Sequence, residues 1–258
     1  MQDLQTIKLD VQDGIALVVM NNPPVNALSR QLNDELTATF DWIGDMPEIR
    51  VAVLAAEGRV FCAGADLKAR AEKPMGPGDL PAHSRRTREC FHSIRECAKP
   101  VIAAVQGPAL GAGLAIAASC DILYAGEAAV IGLPEIDVGL LGGGRHAMRL
   151  FGHSRTRRMM LTGWRVPAQE LYRQGVVEAC LPTADLLPTV MEIARTIAAK
   201  SPSATRLAKH TLNTIEDMSL RDGYRYEQDM TAAISATEDA HEARRAFAEK
   251  RPPVFKGR

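Results

Sequence analysis

Two short stretches of small residues carry the spacing from which chemistry could be built. The first, Gly107-Pro-Ala-Leu-Gly-Ala-Gly113, opens directly into the apolar run Leu114-Ala-Ile-Ala-Ala118. A helix starting there leaves the N–H groups of its first turn without intrahelical acceptors, and the helix dipole adds positive potential at that end. No large side chain but Leu110 stands between Ala109 and Gly113, so a negatively charged oxygen could lie directly on those N–H groups. Glycine and alanine also allow neighbouring elements to pack closely, and the run alone supports both readings. The second stretch, Cys62-Ala-Gly-Ala-Asp66, follows the apolar run Val51-Ala-Val-Leu-Ala-Ala56 and a turn at Glu57-Gly58-Arg59. It offers a second backbone N–H. Two such donors are what a carbonyl needs when it takes up negative charge as an enolate.

These stretches recur in order with Lys99-Pro-Val-Ile-Ala-Ala-Val-Gln106, Cys120-Asp-Ile-Leu-Tyr-Ala-Gly-Glu127, Leu133-Pro-Glu-Ile136 and Ala246-Phe-Ala-Glu-Lys-Arg251. With Asn21-Asn-Pro-Pro-Val-Asn-Ala-Leu28, the set resembles the enoyl-CoA hydratase/isomerase (crotonase) family over nearly the whole chain. The resemblance implies an α/β fold, a spiral of repeated ββα units in residues 1–195 followed by a C-terminal helical oligomerisation region in residues 196–258. It implies an acyl-CoA substrate, no cofactor apart from the coenzyme A of that substrate, and a homotrimer or dimer of trimers. It places the oxyanion-hole N–H groups on Ala65 and Ala112, the CoA-thioester contacts on Ala63, Asp66, Leu67, Lys68 and Gly111, and the catalytic carboxylate on Glu135. Ala112 stands where the family usually has glycine, and its methyl group narrows the pocket.

The chain departs from the hydratase pattern at one position. Hydratases of the family carry a first glutamate two residues after the last glycine of the Gly111-Ala-Gly113 element, where this chain has Ala115. Adding water across a double bond needs one group to polarise the water and a proton source for the α-carbon, whereas shifting a double bond needs one carboxylate to take and return a proton. The expectation is therefore double-bond isomerisation through Glu135. Hydration, decarboxylation of a carboxyacyl-CoA and a catalytically silent CoA-thioester binder remain as alternatives. A second departure, Gly142-Gly-Gly-Arg-His-Ala147, puts Arg145 and His146 behind a glycine cluster. Either could reach the acyl pocket, Arg145 as a carboxylate clamp and His146 as an acid–base group, or both could cap the next helix or pair across subunits. Asp137, two residues from Glu135, would share its face if the segment were a strand.

The elements that must position these groups read as follows. Residues 7–11 alternate and residues 15–20 are apolar, a hairpin; Ser29 caps a helix carrying Leu32, Leu36 and Phe40, and Pro47 ends it. Strands are expected at 51–56, 101–105 and 122–125, helices at 85–98 and 110–119, and a loop rich in proline and glycine at 70–81. The last third reads as helices at 186–199, 202–213 and 220–237. A hydrophobic content of 46% over 258 residues is ample for a core. Lysine plus arginine and aspartate plus glutamate each total 31, so no global field favours nucleic acid or an anionic membrane. Cys62, Cys90, Cys97, Cys120 and Cys180 show no metal-ligand spacing, the N-terminus has no signal-peptide pattern, and no metal site or membrane span is expected. A cytoplasmic protein is the simplest reading. The basic cluster Arg155-Thr-Arg-Arg158 lacks the interleaved aromatics of a nucleic-acid site.

Overall fold

The structure, a computed structural model, describes residues 3–67 and 76–258. Strands β1 (Ile7–Gln12) and β2 (Ile15–Met20) pair antiparallel around Asp13 and Gly14, both at positive φ. A two-residue hairpin turn needs that backbone to match the strand twist. Helix α1 (Arg30–Asp45) starts where the Ser29 hydroxyl accepts from the Leu32 N–H, and buries Leu32, Leu36, Phe40 and Ile43 along one face. Strand β3 (Val51–Ala56), helix α2 (Asp79–Glu96) and strand β4 (Val101–Val105) follow. Then come β5 (Ala109–Leu110), α3 (Ala112–Ser119), β6 (Ile122–Gly126) and β7 (Val130–Gly132). A 3-10 turn at Pro134–Val138 leads to α4 (Gly144–Leu150), α5 (His153–Thr162), β8 (Arg165–Pro167), α6 (Ala168–Arg173) and β9 (Cys180–Leu181). The chain ends with α7 (Thr183–Ala198), α8 (Pro202–Ile215), α9 (Leu220–Ser235) and α10 (Glu238–Glu249).

The strands form a six-stranded sheet in the order β1-β2-β3-β4-β6-β9, parallel from β2 onward, and a small sheet in the order β5-β7-β8. The central strands β3 and β4 are apolar throughout because both of their faces are covered. Ala52, Leu54, Val101, Ala103 and Val105 face one core with α1 and α3, while Val51, Val53, Ala55, Ile102 and Ala104 face a second core built on α7. The expected division at residue 195 falls inside α7, whose Ala194 and Ala198 are buried against this sheet.

Three expectations are corrected. Residues 79–81, read as loop, are the first turn of α2, where Pro81 loses only an N–H that has no helical acceptor anyway; residues 70–75 of that reading lie outside the described residues. The helix expected from 110 starts at Ala112, because Ala109 and Leu110 pair with β7. The segment 220–237 holds one helix ending at Ser235, and Thr237 caps the next, its hydroxyl accepting from the Ala240 N–H. Among the described residues no helix is long and apolar enough to cross a membrane.

The C-terminal helices are tied to the core by a buried cation. Lys209 on α8, with a side chain only 5% exposed, reaches Asp121 at 2.9 Å and the carbonyl oxygens of Ile94 and Lys99 at 3.3 and 3.0 Å. Asp121, 25% exposed, also accepts the Val101 N–H at 2.6 Å. The asymmetry in exposure predicts an asymmetry in cost, since removing Asp121 strands a buried ammonium while removing Lys209 leaves a carboxylate that water can reach. Asp121→Asn should lower unfolding free energy by roughly 2 to 4 kcal/mol and Lys209→Met by clearly less. Urea denaturation of both variants tests the ordering, and equal losses would contradict it.

Candidate active site

The segment 62–65 runs between two neighbours. On one edge Ala63 N–H donates to Val25 and the Gly64 carbonyl accepts from Leu28; on the other Cys62 exchanges hydrogen bonds with Pro108 and Leu110. The bridge from Leu28 to Ala65 is parallel, so Leu28 bonds the residues flanking Ala65 and the Ala65 N–H turns to the opposite edge, the side of Leu110 and Ala112. Gly64 makes this possible. Its φ is +105°, and a Cβ there would stand 3.1 Å from the Leu110 oxygen and 3.9 Å from the Ala112 nitrogen.

Ala112 is the first residue of α3, and the first helical hydrogen bond runs from Ala115 N–H to the Gly111 carbonyl. Neither the Ala65 nor the Ala112 N–H takes part in the turn, loop or cap hydrogen bonds of the described residues. Gly111, with φ +56° and ψ −113°, donates to Gly132 at 2.9 Å and turns the chain into the helix. Both readings of the glycine run hold, at different positions. At Gly107 and Gly113 a Cβ would collide with the carbonyl oxygens of Arg59 and Cys62, so these glycines serve packing, while Gly111 shapes the site.

Glu135 sits on the 3-10 turn with its carboxylate over Gly111, where an added Cβ would strike Oε1 and stand 3.2 Å from Cδ. Its Oε2 is buried with no hydrogen-bond partner among the described residues. Burial pushes the Glu135 carboxyl above the ordinary glutamate range, opposed only by its own backbone N–H. An unpaired carboxylate of raised basicity therefore lies beside the peptide whose N–H would hold a substrate carbonyl oxygen. That arrangement suits proton transfer at a carbon next to the carbonyl. Ala115, one turn along α3, is buried and supplies no second carboxylate.

The remaining expected residues separate. Asp137 does not share a face with Glu135: the segment is a 3-10 turn rather than a strand, so residues two apart point in different directions. The Asp137 carboxylate lies against Gly163 at the end of α5, within 3.2 Å of a would-be Cβ there. Arg145 is exposed and paired with Asp217 at 2.5 Å. His146 packs edge-on against Phe91, with ring centroids 5.0 Å apart. Burial, followed by the charges of Arg149, His92, Arg145 and Arg95, pushes its pKa down to about 4 and keeps the ring neutral near pH 7. Ala63 and Leu67 are exposed on either side of Ala65, and Asp66 lies between them half-buried. Lys68 lies outside the described residues. In the basic cluster, Arg155 pairs with Glu170 at 3.1 Å and Arg158 stacks 4.0 Å above the Trp164 ring.

The sequence profile of the enoyl-CoA hydratase/isomerase family matches residues 10–258. The chain is 36% identical to the 2,3-dehydroadipyl-CoA hydratase of Escherichia coli (strain K12), over 96% of this chain and 97% of that protein. It is 35% identical to a (7aS)-7a-methyl-1,5-dioxo-2,3,5,6,7,7a-hexahydro-1H-indene-carboxyl-CoA hydrolase of Rhodococcus jostii (strain RHA1), over 93% of each. The crystal structure of an enoyl-CoA hydratase from Bacillus anthracis superimposes with a TM-score of 0.93 at 33% identity, covering 98% of this chain and 100% of that one.

Adding a methyl group at Gly64 would strain the backbone and push the two donor segments apart. Gly64→Ala should therefore lower turnover of an enoyl-CoA by about a hundredfold, the scale of a lost oxyanion donor. Steady-state kinetics on protein shown to be folded by circular dichroism test this, and wild-type turnover would contradict it.

Proposed function

Because the chain belongs to the enoyl-CoA hydratase/isomerase family, we propose that it shifts a double bond within an enoyl-CoA thioester, with Glu135 as its only proton shuttle. The observation that carries this reading is the pairing of one carboxylate at Glu135, whose buried Oε2 has no partner among the described residues, with an alanine at 115. In a 3-enoyl-CoA, the Glu135 carboxylate removes a proton from C2 and the electrons of that C–H bond pass into a dienolate. The thioester oxygen takes the negative charge and the N–H groups of Ala65 and Ala112 hold it. The protonated carboxyl then returns the proton at C4, giving the 2-enoyl-CoA and regenerating Glu135. No atom is gained or lost, and no cofactor beyond the coenzyme A of the substrate is called for. Ala63, Asp66, Leu67, Lys68 and Gly111 remain the proposed CoA-thioester contacts.

Hydration is the second reading, favoured by the resemblance to the Escherichia coli 2,3-dehydroadipyl-CoA hydratase and the Bacillus anthracis enoyl-CoA hydratase. It would require Glu135 to handle both water and the α-carbon proton. Decarboxylation guided by Arg145 is disfavoured, because Asp217 already holds that guanidinium at the surface. The proposal includes self-association into a homotrimer or dimer of trimers. It is supported by Ile136, Val138 and Leu141, which are 46%, 57% and 83% exposed beside the candidate base, more apolar surface than one isolated side chain would explain.

Glu135→Gln should keep acyl-CoA affinity while lowering turnover by about a hundred- to ten-thousandfold. The wild-type rate should fall as pH is lowered and the carboxylate is protonated. Its midpoint should lie above the ordinary glutamate range, since burial raises this pKa. Ala115→Glu should raise hydration relative to isomerisation. A panel of 2-enoyl-, 3-enoyl- and carboxyacyl-CoA substrates checks the assignment. Efficient hydration by the wild type that survives Glu135→Gln would overturn it, and binding of these thioesters without turnover would identify a silent binder.

A further inference from the structure

Helix α3 is eight residues long, has no charged side chain and begins at a glycine that offers no side-chain cap. Its intrinsic stability is low, yet it carries a donor whose position must hold to tenths of an ångström. The C-terminal end is where it is fastened. The carbonyl oxygens of its last turn are met one by one: Ser119 Oγ donates to Ala115 at 2.8 Å, the Cys120 thiol approaches the Ile116 oxygen at 3.5 Å, and the Cys120 N–H donates to Ala117 at 3.0 Å. The Ala118 oxygen is met by the Arg149 guanidinium, whose Nη1 lies 2.5 Å away.

Arg149 is the one full charge in this set, and a cation at a helix C-terminus also complements the dipole. It does not stand alone. Its Nε donates to Glu216 Oε1 at 2.7 Å, and the second oxygen of Glu216 accepts from Arg95 Nη2 at 3.0 Å. Arg95 is fixed in turn by exchange with Asn213, donating to its carbonyl at 3.2 Å and accepting from its side-chain amide at 2.8 Å through its own carbonyl. Asn213 belongs to α8 and Glu216 is its C-cap, so the far end of the relay is the C-terminal helical region.

We propose that Arg149 is a positioning residue for the oxyanion hole, fixing α3 along its axis through the Ala118 carbonyl, and that Glu216 holds it in place on behalf of the C-terminal helices. The side chain meets α3 in its last turn, at the end opposite Ala112. It acts through the helix, whose first N–H is that of Ala112. A bidentate guanidinium is suited to the task because one nitrogen grips the carboxylate while another grips the carbonyl, which an ammonium on a flexible stem cannot do with the same geometry. The inference rests on the Ala112 donor of the proposed function and adds a second origin for its placement, distant in sequence from the glycine-rich segment.

The test reads the hydrogen bond itself. The carbonyl stretch of a carbon-13-labelled butyryl-CoA, recorded by isotope-edited infrared spectroscopy, reports how strongly the bound thioester oxygen is polarised. Wild-type protein should shift the band to lower frequency relative to free butyryl-CoA. Arg149→Met should lose part of that shift and lower kcat about tenfold with the probe's Kd within about twofold, less than the roughly hundredfold cost of a misplacement by a full ångström. Glu216→Gln, a milder change that keeps the fold if Arg149→Met does not, should show the same effect in smaller measure, and Arg149→Lys should fall between wild type and Arg149→Met. Variants whose thermal midpoints fall while the carbonyl band and kcat stay at wild-type values would reduce Arg149 to a structural residue and overturn the inference. A wild-type protein that binds butyryl-CoA without any band shift would instead remove the oxyanion hole, and the proposed function with it.

Discussion

Everything at the site depends on the close approach of two backbone segments, residues 62–65 and 110–113. Backbone N–H groups can converge on one oxygen only if no side chain intervenes, and here the space is reserved by glycine at 64 and 113, each pressed against a carbonyl of the opposite segment. The parallel bridges on both edges of residues 62–65 then orient the free N–H. Oxyanion holes work because their donors are already in place when charge develops, so the energy is spent in folding rather than at the moment of reaction. The six-stranded sheet supplies that rigidity through β3 and β4, buried on both faces.

A second constraint sets the character of the base. Glu135 is held on a short turn over Gly111, which has no side chain to displace it, and one of its oxygens is buried without a donor among the described residues. A carboxylate left unpaired in this way is costly to the fold and basic for the same reason. Other carboxylates in the protein show the contrast. Glu242 accepts from Arg251 and Arg245, and those hydrogen bonds hold its pKa far below the usual range. Glu216 would be raised by burial alone but is pulled down by Arg149 and Arg95. Those paired carboxylates anchor structure, whereas Glu135 Oε2 has no partner among the described residues.

Helix α8 and the residues just after it meet the core through several charged contacts. Lys209 reaches into the core to Asp121, Arg95 and Arg149 close on Glu216, and Arg145 meets Asp217. The buried Asp239 gathers the Ser201 and Ser203 hydroxyls and the backbone of Lys256 and Gly257, which fastens the chain end onto the same region. Such contacts are directional, and a region fixed by them holds a defined orientation on the core. One of them, Arg149, also meets the last turn of α3 at the Ala118 carbonyl, where a fixed orientation can be passed on to the helix.

Local signals determined a good deal of this protein by sequence alone. Ser29 marks the start of α1 because its hydroxyl caps the next N–H groups, the Asp13-Gly14 pair marks the hairpin turn, and the unbroken apolar runs at β3 and β4 announce strands covered on both faces. The ordered family motifs pointed to Ala65 and Ala112 as the proposed donors and to Glu135 as the proposed base. The small sheet leaves no signal in the sequence, because strands of two or three residues have no periodicity. The roles of Asp137, Arg145 and His146 were left open for a related reason. Whether a side chain two or ten residues from the base reaches the site depends on local helix geometry and on partners such as Asp217 and Phe91, distant in the chain. Arg149 carries no local signal at all, since its partners Ala118 and Glu216 lie 31 and 67 residues away. Hydrogen bonds of that separation exist only once the chain has folded, so tertiary structure alone decided which of these charges hold the fold.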